Sequence, residues 1–187
     1  MTQVGHSIVG AAFGVVCLPQ NVPTKHTAIQ VVAFVLLSNI PDLPFKNWSH
    51  EEYHVSHSIF VNLLLIVTAI FILAYLRKVR TRIGGWLVML SGTIAWLSHL
   101  LLDSFYNHGK GIAIFWPFSD ARLALPIPLF SSVTSLPPPI TPEMMRIFLI
   151  EFVCYFPFLL LAILMRKTEV IRRTTRIIVK VATTWSG

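Results

Sequence analysis

The sequence predicts an all-α membrane protein, a polytopic bundle of about five helices. Hydrophobic residues make up 55% of the 187 residues and charged residues only 12%. The mean hydropathy of +0.70 lies outside the usual range of soluble domains. Five apolar runs, bounded by prolines or charged residues, are the candidate helices. They cover residues 8–18, 26–40, 54–76, 83–105 and 144–165.

The first two runs are short. Ile8–Leu18 falls below the about 20 residues of a full span, so we expect a half-embedded helix or one in a thin region of the bilayer. The second run, His26–Ile40, stops at Pro41-Asp42-Leu43-Pro44, where the two prolines disfavour a helix. Asp42 is therefore expected on a stiff corner at a helix end.

The third and fourth runs are the longer ones. His54–Leu76 is the clearest membrane span and ends in the basic connection Arg77–Arg82. Ile83–Phe105 follows, and His99 and Asp103 stand four residues apart near its end. On a helix this spacing puts both side chains on one face, one turn apart.

The remaining segments follow the fourth run. The connection Tyr106–Glu143 is rich in prolines and aromatic residues, and we expect this apolar loop to fold over the site or to lie on the outer leaflet. Met144–Met165 carries Glu151. The basic tail, residues 166–187, has apolar positions at helical spacing, which is typical of a helix on an anionic membrane surface. The alternative is an ordinary basic flank that does not contact lipid. We thus divide the chain into a membrane-embedded domain, residues 1–165, and this cytoplasmic tail.

The Lys and Arg residues indicate the orientation, because cytoplasmic loops are enriched in them. Placing Arg77–Arg82 and the tail inside puts the N-terminus outside, with eleven of the 15 basic residues inside and four outside. The net charge of +7 is then a topology signal, and we predict no nucleic-acid partner. Residues 1–5 contain no Lys or Arg, so we expect no signal peptide. Cys17 and Cys154 lie in apolar runs and are expected to be free thiols.

This topology gathers histidines and aspartates from four runs at the external helix ends, with His26 on the inner side as the exception. An ionisable residue in a membrane segment is a functional candidate by default. The gathered residues are His6, Asp42, His54, His57, His99 and Asp103.

Imidazole and carboxylate donors without a thiolate suit zinc first and then manganese or iron. We predict that Asp42, His57, His99 and Asp103 form one four-ligand set, and that Asp103 bridges to a second metal at His6, which gives one or two ions. Paired metals cleave phosphoesters by neutralising charge on phosphate oxygens.

Further residues are assigned to proton transfer and to phosphate binding. His54 is a candidate metal ligand, a candidate general acid or a residue that hydrogen-bonds to a metal ligand. Glu151 is a candidate general base or a hydrogen-bonding group between helices. His-Ser-Ile occurs at both His6 and His57, which puts Ser7 and Ser58 at helix N-termini suited to phosphate. Chance similarity is the alternative. His50 and His108 are weaker candidates.

Several motifs together resemble the family of membrane-bound metal-dependent hydrolases, also described as LexA-regulated inner-membrane hydrolases (YdjM-like). The likeness spans residues 5 to about 122 and implies a bacterial or archaeal inner membrane and a hydrolase. The motifs are Gly5-His6-Ser7, Pro41-Asp42-Leu43, His54-Val55-Ser56-His57-Ser58, His99-Leu100-Leu101-Leu102-Asp103 and Trp116-Pro117-Phe118-Ser119-Asp120.

The order of these residues is also similar to zinc-dependent phospholipase C, which implies that the five residues His6, Asp42, His57, His99 and Asp103 are metal ligands. That enzyme carries a further His-x-x-x-Glu pair, and none follows Asp103 here. Pro44 stands where the hydrolase family often has a second Asp, so a single-metal site stays open.

We therefore predict a metal-dependent hydrolase that cleaves a phosphoester of a phospholipid or lipid-linked substrate at the outer leaflet. A metal-binding transporter is the alternative, although the second to fourth runs offer few polar residues for a path. A third possible function is that of a non-enzymatic membrane subunit. The sequence does not indicate an oligomeric state.

Overall fold

The structure, a computed structural model, describes residues 2–17, 24–43, 53–75, 83–106, 111–125, 127, 129–130 and 141–168. Within these ranges it is all-helical, as predicted, with five helices of 15 residues or more and no strand beyond an isolated bridge between Ile112 and Leu123. The helices are α1 (Gln3–Cys17), α2 (Thr24–Asn39), the short α3 (Tyr53–Ser56), α4 (Ile59–Tyr75), α5 (Ile83–Ser104) and α6 (Pro142–Lys167), and a 3₁₀ turn (Ile40–Asp42) follows α2.

The third run is broken at His57 and Ser58, whereas the sequence predicts one continuous helix. The cause is a set of competing partners for the backbone. The side-chain amide of Asn62 donates to the carbonyl oxygens of Ser56 and Ser58, each at 2.7 Å. The amide of Ile59 donates to the carbonyl oxygen of Ile114 at 2.9 Å. The carbonyl of Ser56 and the amide of Ile59 are thus satisfied outside the helical pattern, whereas the carbonyl of Ser58 also accepts the backbone amide of Asn62 at 3.1 Å, as in a regular helix.

Helix α1 lies at the centre and packs against α2, α5 and α6. Two glycines one turn apart allow the close approach to α2. A Cβ atom on Gly10 would lie 2.7 Å from the carbonyl oxygen of Phe34, and one on Gly14 would lie 3.1 Å from the Cα of Val31. Small residues at this spacing are typical of helix pairs in membranes.

Contacts at both ends of the helices fix their directions. Thr2 meets Glu151 at one end of α1, and Arg166 donates to the carbonyl oxygen of Val15 at the other end, so α1 and α6 are parallel. Helices α2 and α5 run opposite to α1, since Ser38 and Asp103 both contact His6. The N-termini of α1, α4 and α6 therefore meet the C-termini of α2 and α5 at one end of the bundle, the site end.

Residues 111–125 pack over the site end. Ile112 and Leu123 exchange backbone hydrogen bonds, and the amide of Leu125 donates to the carbonyl oxygen of Ser104 at 2.7 Å. Gly111 has a φ of +75°, and a Cβ there would lie 2.6 Å from the carbonyl oxygen of Leu123. The described part of the long apolar loop thus contacts the end of α5 and the start of α4.

Apolar side chains face outward and polar ones face inward. Leu64, Phe71 and Val153 are 67%, 74% and 62% exposed, whereas His6, His57 and His99 are fully buried. In the described ranges, α6 is long and apolar enough to cross a membrane by length and composition. Helices α1 and α4 are apolar but shorter.

Candidate metal centre

Four side chains converge at the site end, namely Asp42, His57, His99 and Asp103, which we call the His/Asp cluster. One ligand atom from each lies within 4.8 Å of the other three. The 3₁₀ turn supplies Asp42, the break before α4 supplies His57, and one face of α5 supplies the other two. The two histidines and Asp103 are buried, and Asp42 is half-buried.

Five of the six distances between ligand atoms of the cluster are close to the edge length of a tetrahedral metal site. His57 Nε2 lies 2.9 Å from Asp103 Oδ2 and 3.6 Å from Asp42 Oδ1. His99 Nε2 lies 3.3 Å from Asp103 Oδ2, 3.5 Å from Asp42 Oδ1 and 3.3 Å from His57 Nε2. A tetrahedron with bonds of about 2.0–2.1 Å has edges of about 3.3 Å. Asp42 Oδ1 is a buried acceptor without a hydrogen bond, which a cation at the centre would satisfy.

Both histidines of the cluster are oriented by a partner on the other ring nitrogen. His99 Nδ1 donates to the carbonyl oxygen of Ser38 at 2.8 Å, so its Nε2 carries the lone pair that faces the cluster. His57 Nδ1 lies 2.8 Å from the hydroxyl oxygen of Ser56. Partners of this kind fix the tautomer and ring orientation of histidines that bind metals.

His6 joins the cluster from α1. Its Nε2 lies 3.2 Å from Asp103 Oδ1, and its ring stacks on that of His99 with centroids 3.7 Å apart and an interplanar angle of 13°. The other oxygen of Asp103 faces His57 and His99. Asp103 therefore lies between His6 on one side and the two cluster histidines on the other.

Burial and the neighbouring charges shift the pKa values of His57 and Asp42, the two cluster residues that lie outside the long helices. Burial lowers the pKa of His57, and its contact with Asp103 opposes this only in part. Burial alone would raise the pKa of Asp42, but the adjacent imidazole of His99 lowers it. A neutral imidazole and an ionised carboxylate are the forms that bind metal ions.

Glu151 occupies a separate buried site. Its carboxylate accepts hydrogen bonds from the backbone amides of Thr2 at 2.8 Å and Gly5 at 3.2 Å, and from the hydroxyl of Thr2. The free N–H groups and positive dipole end at the start of α1 favour a carboxylate there. Glu151 thus links α6 to α1, which is the hydrogen-bonding alternative considered for this residue. The side chains of His54, His50 and His108 lie outside the described part of the structure.

The two serines predicted to bind phosphate both have protein partners. The hydroxyl of Ser58 donates to the carbonyl oxygen of Trp116, and the hydroxyl oxygen of Ser7 accepts from the side-chain amide of Asn39 at 3.2 Å. Either bond would compete with a phosphate group.

Sequence reasoning did not assign Ser38, Ser56 or Asn62 to the site. All three are buried and contact either a cluster histidine or the backbone beside one. Serines are common in membrane helices, and Asn62 lies within the apolar part of the third run, five residues after His57. Only the position of Ser56 next to His57 could have drawn attention to it.

The comparison with known proteins gives one match. The model of a family described as "YdjM inner membrane protein" matches residues 1–170. This confirms the likeness to that family, and it leaves the likeness to phospholipase C a prediction. No curated protein and no solved structure matches the chain.

Proposed function

The chain belongs to the YdjM inner membrane protein family, and on this premise we propose that it is a multi-pass membrane hydrolase. Its metal ion would be held by the His/Asp cluster, and its substrate would be a phosphoester of a phospholipid or lipid-linked molecule. The observation that carries the proposal is the convergence of three buried donors and the half-buried Asp42 within 4.8 Å at one end of an apolar bundle.

The donor set favours zinc. Two imidazole nitrogens and two carboxylate oxygens at tetrahedral spacing suit this ion, and manganese and iron accept the same donors. When bound, such an ion polarises phosphoryl oxygens and lowers the pKa of water. His6, on the far oxygen of Asp103, is the donor available to a second ion.

The chain's own residues would divide the remaining tasks. Asp103 orients His57 and His99 through one oxygen and His6 through the other. His54 precedes His57 by three residues and is our candidate for transferring a proton to the leaving group. The contacts of Glu151 favour a different task, because they hold α1 and so hold His6 in place. Ser7 and Ser58 would bind phosphate only by exchanging their present partners.

The distribution of polarity supports several membrane crossings. Water would surround apolar side chains such as Phe71 and Leu149 if the bundle were soluble, at a cost of about 25 cal/mol per Å². Lipid removes that cost, and the buried histidines and aspartates then face the bundle interior as membrane ionisable groups do. The basic residues favour the site end on the outer side of the inner membrane.

An apolar groove supports a lipid substrate. It has a volume of about 290 Å³ and runs between α1 and α6 from Leu102 and Tyr155 towards Val16 and Met165. Leu102 directly precedes Asp103 on α5, but no side chain of the His/Asp cluster lines the groove. An acyl chain that entered the groove from the bilayer would exchange one apolar environment for another, so the groove could hold it without a desolvation cost.

Elemental analysis and hydrolysis assays test the proposal. We expect the purified chain to hold at least one equivalent of zinc and to cleave a phospholipid or lipid-linked phosphoester in vesicles. The double variant His99→Ala with Asp103→Ala should lose both properties, and Asp120→Ala, an exposed carboxylate in the loop, should keep them. Absence of stoichiometric metal, or full metal in the double variant, would refute the proposal. Metal binding without hydrolysis of any lipid phosphoester would leave the metal-binding transporter as the better explanation.

A further inference from the structure

Asn62 makes a hydrogen-bonding network that no part of the proposed chemistry uses. The side chain is fully buried one turn into α4. Both hydrogens of its amide are used, since Nδ2 donates to the carbonyl oxygens of Ser56 and Ser58, each at 2.7 Å. Its Oδ1 accepts from the indole Nε1 of Trp96 at 2.7 Å.

The two carbonyl groups belong to the residues on either side of His57. A carbonyl at the end of a helix has no donor within that helix, and an unpaired buried carbonyl is costly. Asn62 supplies the donor at the end of α3 and binds the carbonyl just before α4 with the same planar group. The backbone of His57 is therefore held at both sides by one rigid amide.

The third bond ties this break to the other ligand-bearing helix. Trp96 lies on α5, three residues before His99, so both side chains lie on roughly the same face of that helix. The bond between Asn62 and Trp96 links the segment that carries His57 to the helix that carries His99 and Asp103. It sets the separation of these segments one turn away from the His/Asp cluster.

We propose that Asn62 is a positioning residue for the metal centre. It holds the break between α3 and α4 so that the Nε2 atom of His57 points at the cluster, 3.3 Å from its counterpart on His99. This inference rests on the proposed function, because it assigns Asn62 a task only if the cluster binds a metal ion.

Metal affinity of the full-length chain in detergent tests the inference. Asn62→Asp removes both donors while keeping the shape, and Asn62→Leu removes the whole network. We expect the Kd for Zn²⁺ to rise roughly 10–100-fold in both, as for other losses of partners that orient metal ligands. With Co²⁺ as the probe, the visible absorption should weaken or shift because one nitrogen ligand is lost. Trp96→Phe, which keeps the Asn62 donors, should show a smaller loss.

Ile66→Ala is the matched control. Ile66 is buried one turn beyond Asn62 on the same helix, so this variant removes packing without removing a polar contact. It should lower the Tm and leave the Kd for Zn²⁺ within twofold of the wild type. Unchanged Zn²⁺ affinity and an unchanged Co²⁺ spectrum in the Asn62 variants would overturn the inference, and if neither folds, an unchanged affinity in Trp96→Phe would do so. A wild-type chain that binds no metal would refute the proposed function itself.

Discussion

Asp103 directs its two carboxylate oxygens to different imidazoles. One oxygen lies 2.9 Å from His57 Nε2 and the other 3.2 Å from His6 Nε2. A carboxylate buried in this way requires compensating positive charge, which protonated histidines or a metal ion can provide. Protons and metal ions therefore compete for the same three imidazoles.

This competition gives a pH dependence. Burial lowers the pKa of His57, so the imidazole stays neutral and able to bind metal somewhat below its ordinary value of about 6.5. We expect the affinity for Zn²⁺ to fall as the pH is lowered, because protons then occupy the imidazole nitrogens that would bind the ion. Titration against a competing chelator at each pH measures this. An affinity that rises on acidification would contradict it.

Glu151 offers a second test at the scale of one residue. Glu151→Gln keeps the shape but turns an amide group towards one of the two backbone donors of α1, which leaves a buried donor unpaired. We expect a loss of about 1–3 kcal/mol in the free energy of unfolding, measured by thermal unfolding in detergent. Glu143→Gln, exposed on the same helix, should change it by no more than about 1 kcal/mol. If Glu151 is instead a general base, the variant would lose hydrolysis with no change in Tm.

The elements are held together by close contact of backbones as much as by apolar packing. Because Gly10 has no side chain, α1 approaches α2 closely at this point. The Cα atom of Gly10 faces the carbonyl oxygen of Phe34 and the hydroxyl of Ser38. The same hydroxyl donates to the carbonyl oxygen of His6, and the carbonyl of Ser38 orients His99. The α1–α2 pair thus fixes His6 and His99 relative to each other.

A methyl group at Gly10 should therefore affect both stability and the site. Its Cβ would lie 2.7 Å from a backbone oxygen that cannot move aside. We expect Gly10→Ala to destabilise the bundle by about 1–3 kcal/mol and to lower the zinc content. In Gly92→Ala the new Cβ meets only the end of the Leu37 side chain, at 3.2 Å, so that variant should remain near wild type. Equal Tm values in the two variants would contradict this.

The helices could be predicted from the sequence because long apolar runs end at prolines and basic clusters. The observed ends of α2 and α5 differ from the predicted ones by one or two residues. The break at His57 could not be predicted. It depends on the side chain of Asn62, which is no turn signal, and on residues 111–125, which are distant in the chain. The convergence of Asp42, His57, His99 and Asp103 followed from the topology, whereas the supporting roles of Ser38 and Ser56 depend on tertiary contacts that no local pattern encodes.

At the scale of the whole molecule, polarity and charge are separated along the bundle. The His/Asp cluster lies at one end, and Arg166 lies at the other. Family membership indicates an inner membrane protein. From the positive-inside rule we predict that the site end faces outward.

Cysteine labelling tests this orientation. In a background lacking Cys17 and Cys154, an impermeant thiol reagent added from outside should react with Asp120→Cys, exposed in the loop at the site end. It should react with His26→Cys, exposed at the start of α2, only after the cells are opened. The reverse pattern would invert the topology, and reaction of both from outside would exclude a crossing by α2.

The metal donors are spread along the chain, which has a consequence for biogenesis. His6, Asp42 and His57 are synthesised early, yet His99 and Asp103 stand near the end of α5. A nascent chain whose α5 has not yet entered the bilayer lacks the residues that contact all three earlier donors. An ion held by the His/Asp cluster would therefore be retained only after α5 has docked beside α1 and α2, while α6 has still to join the bundle.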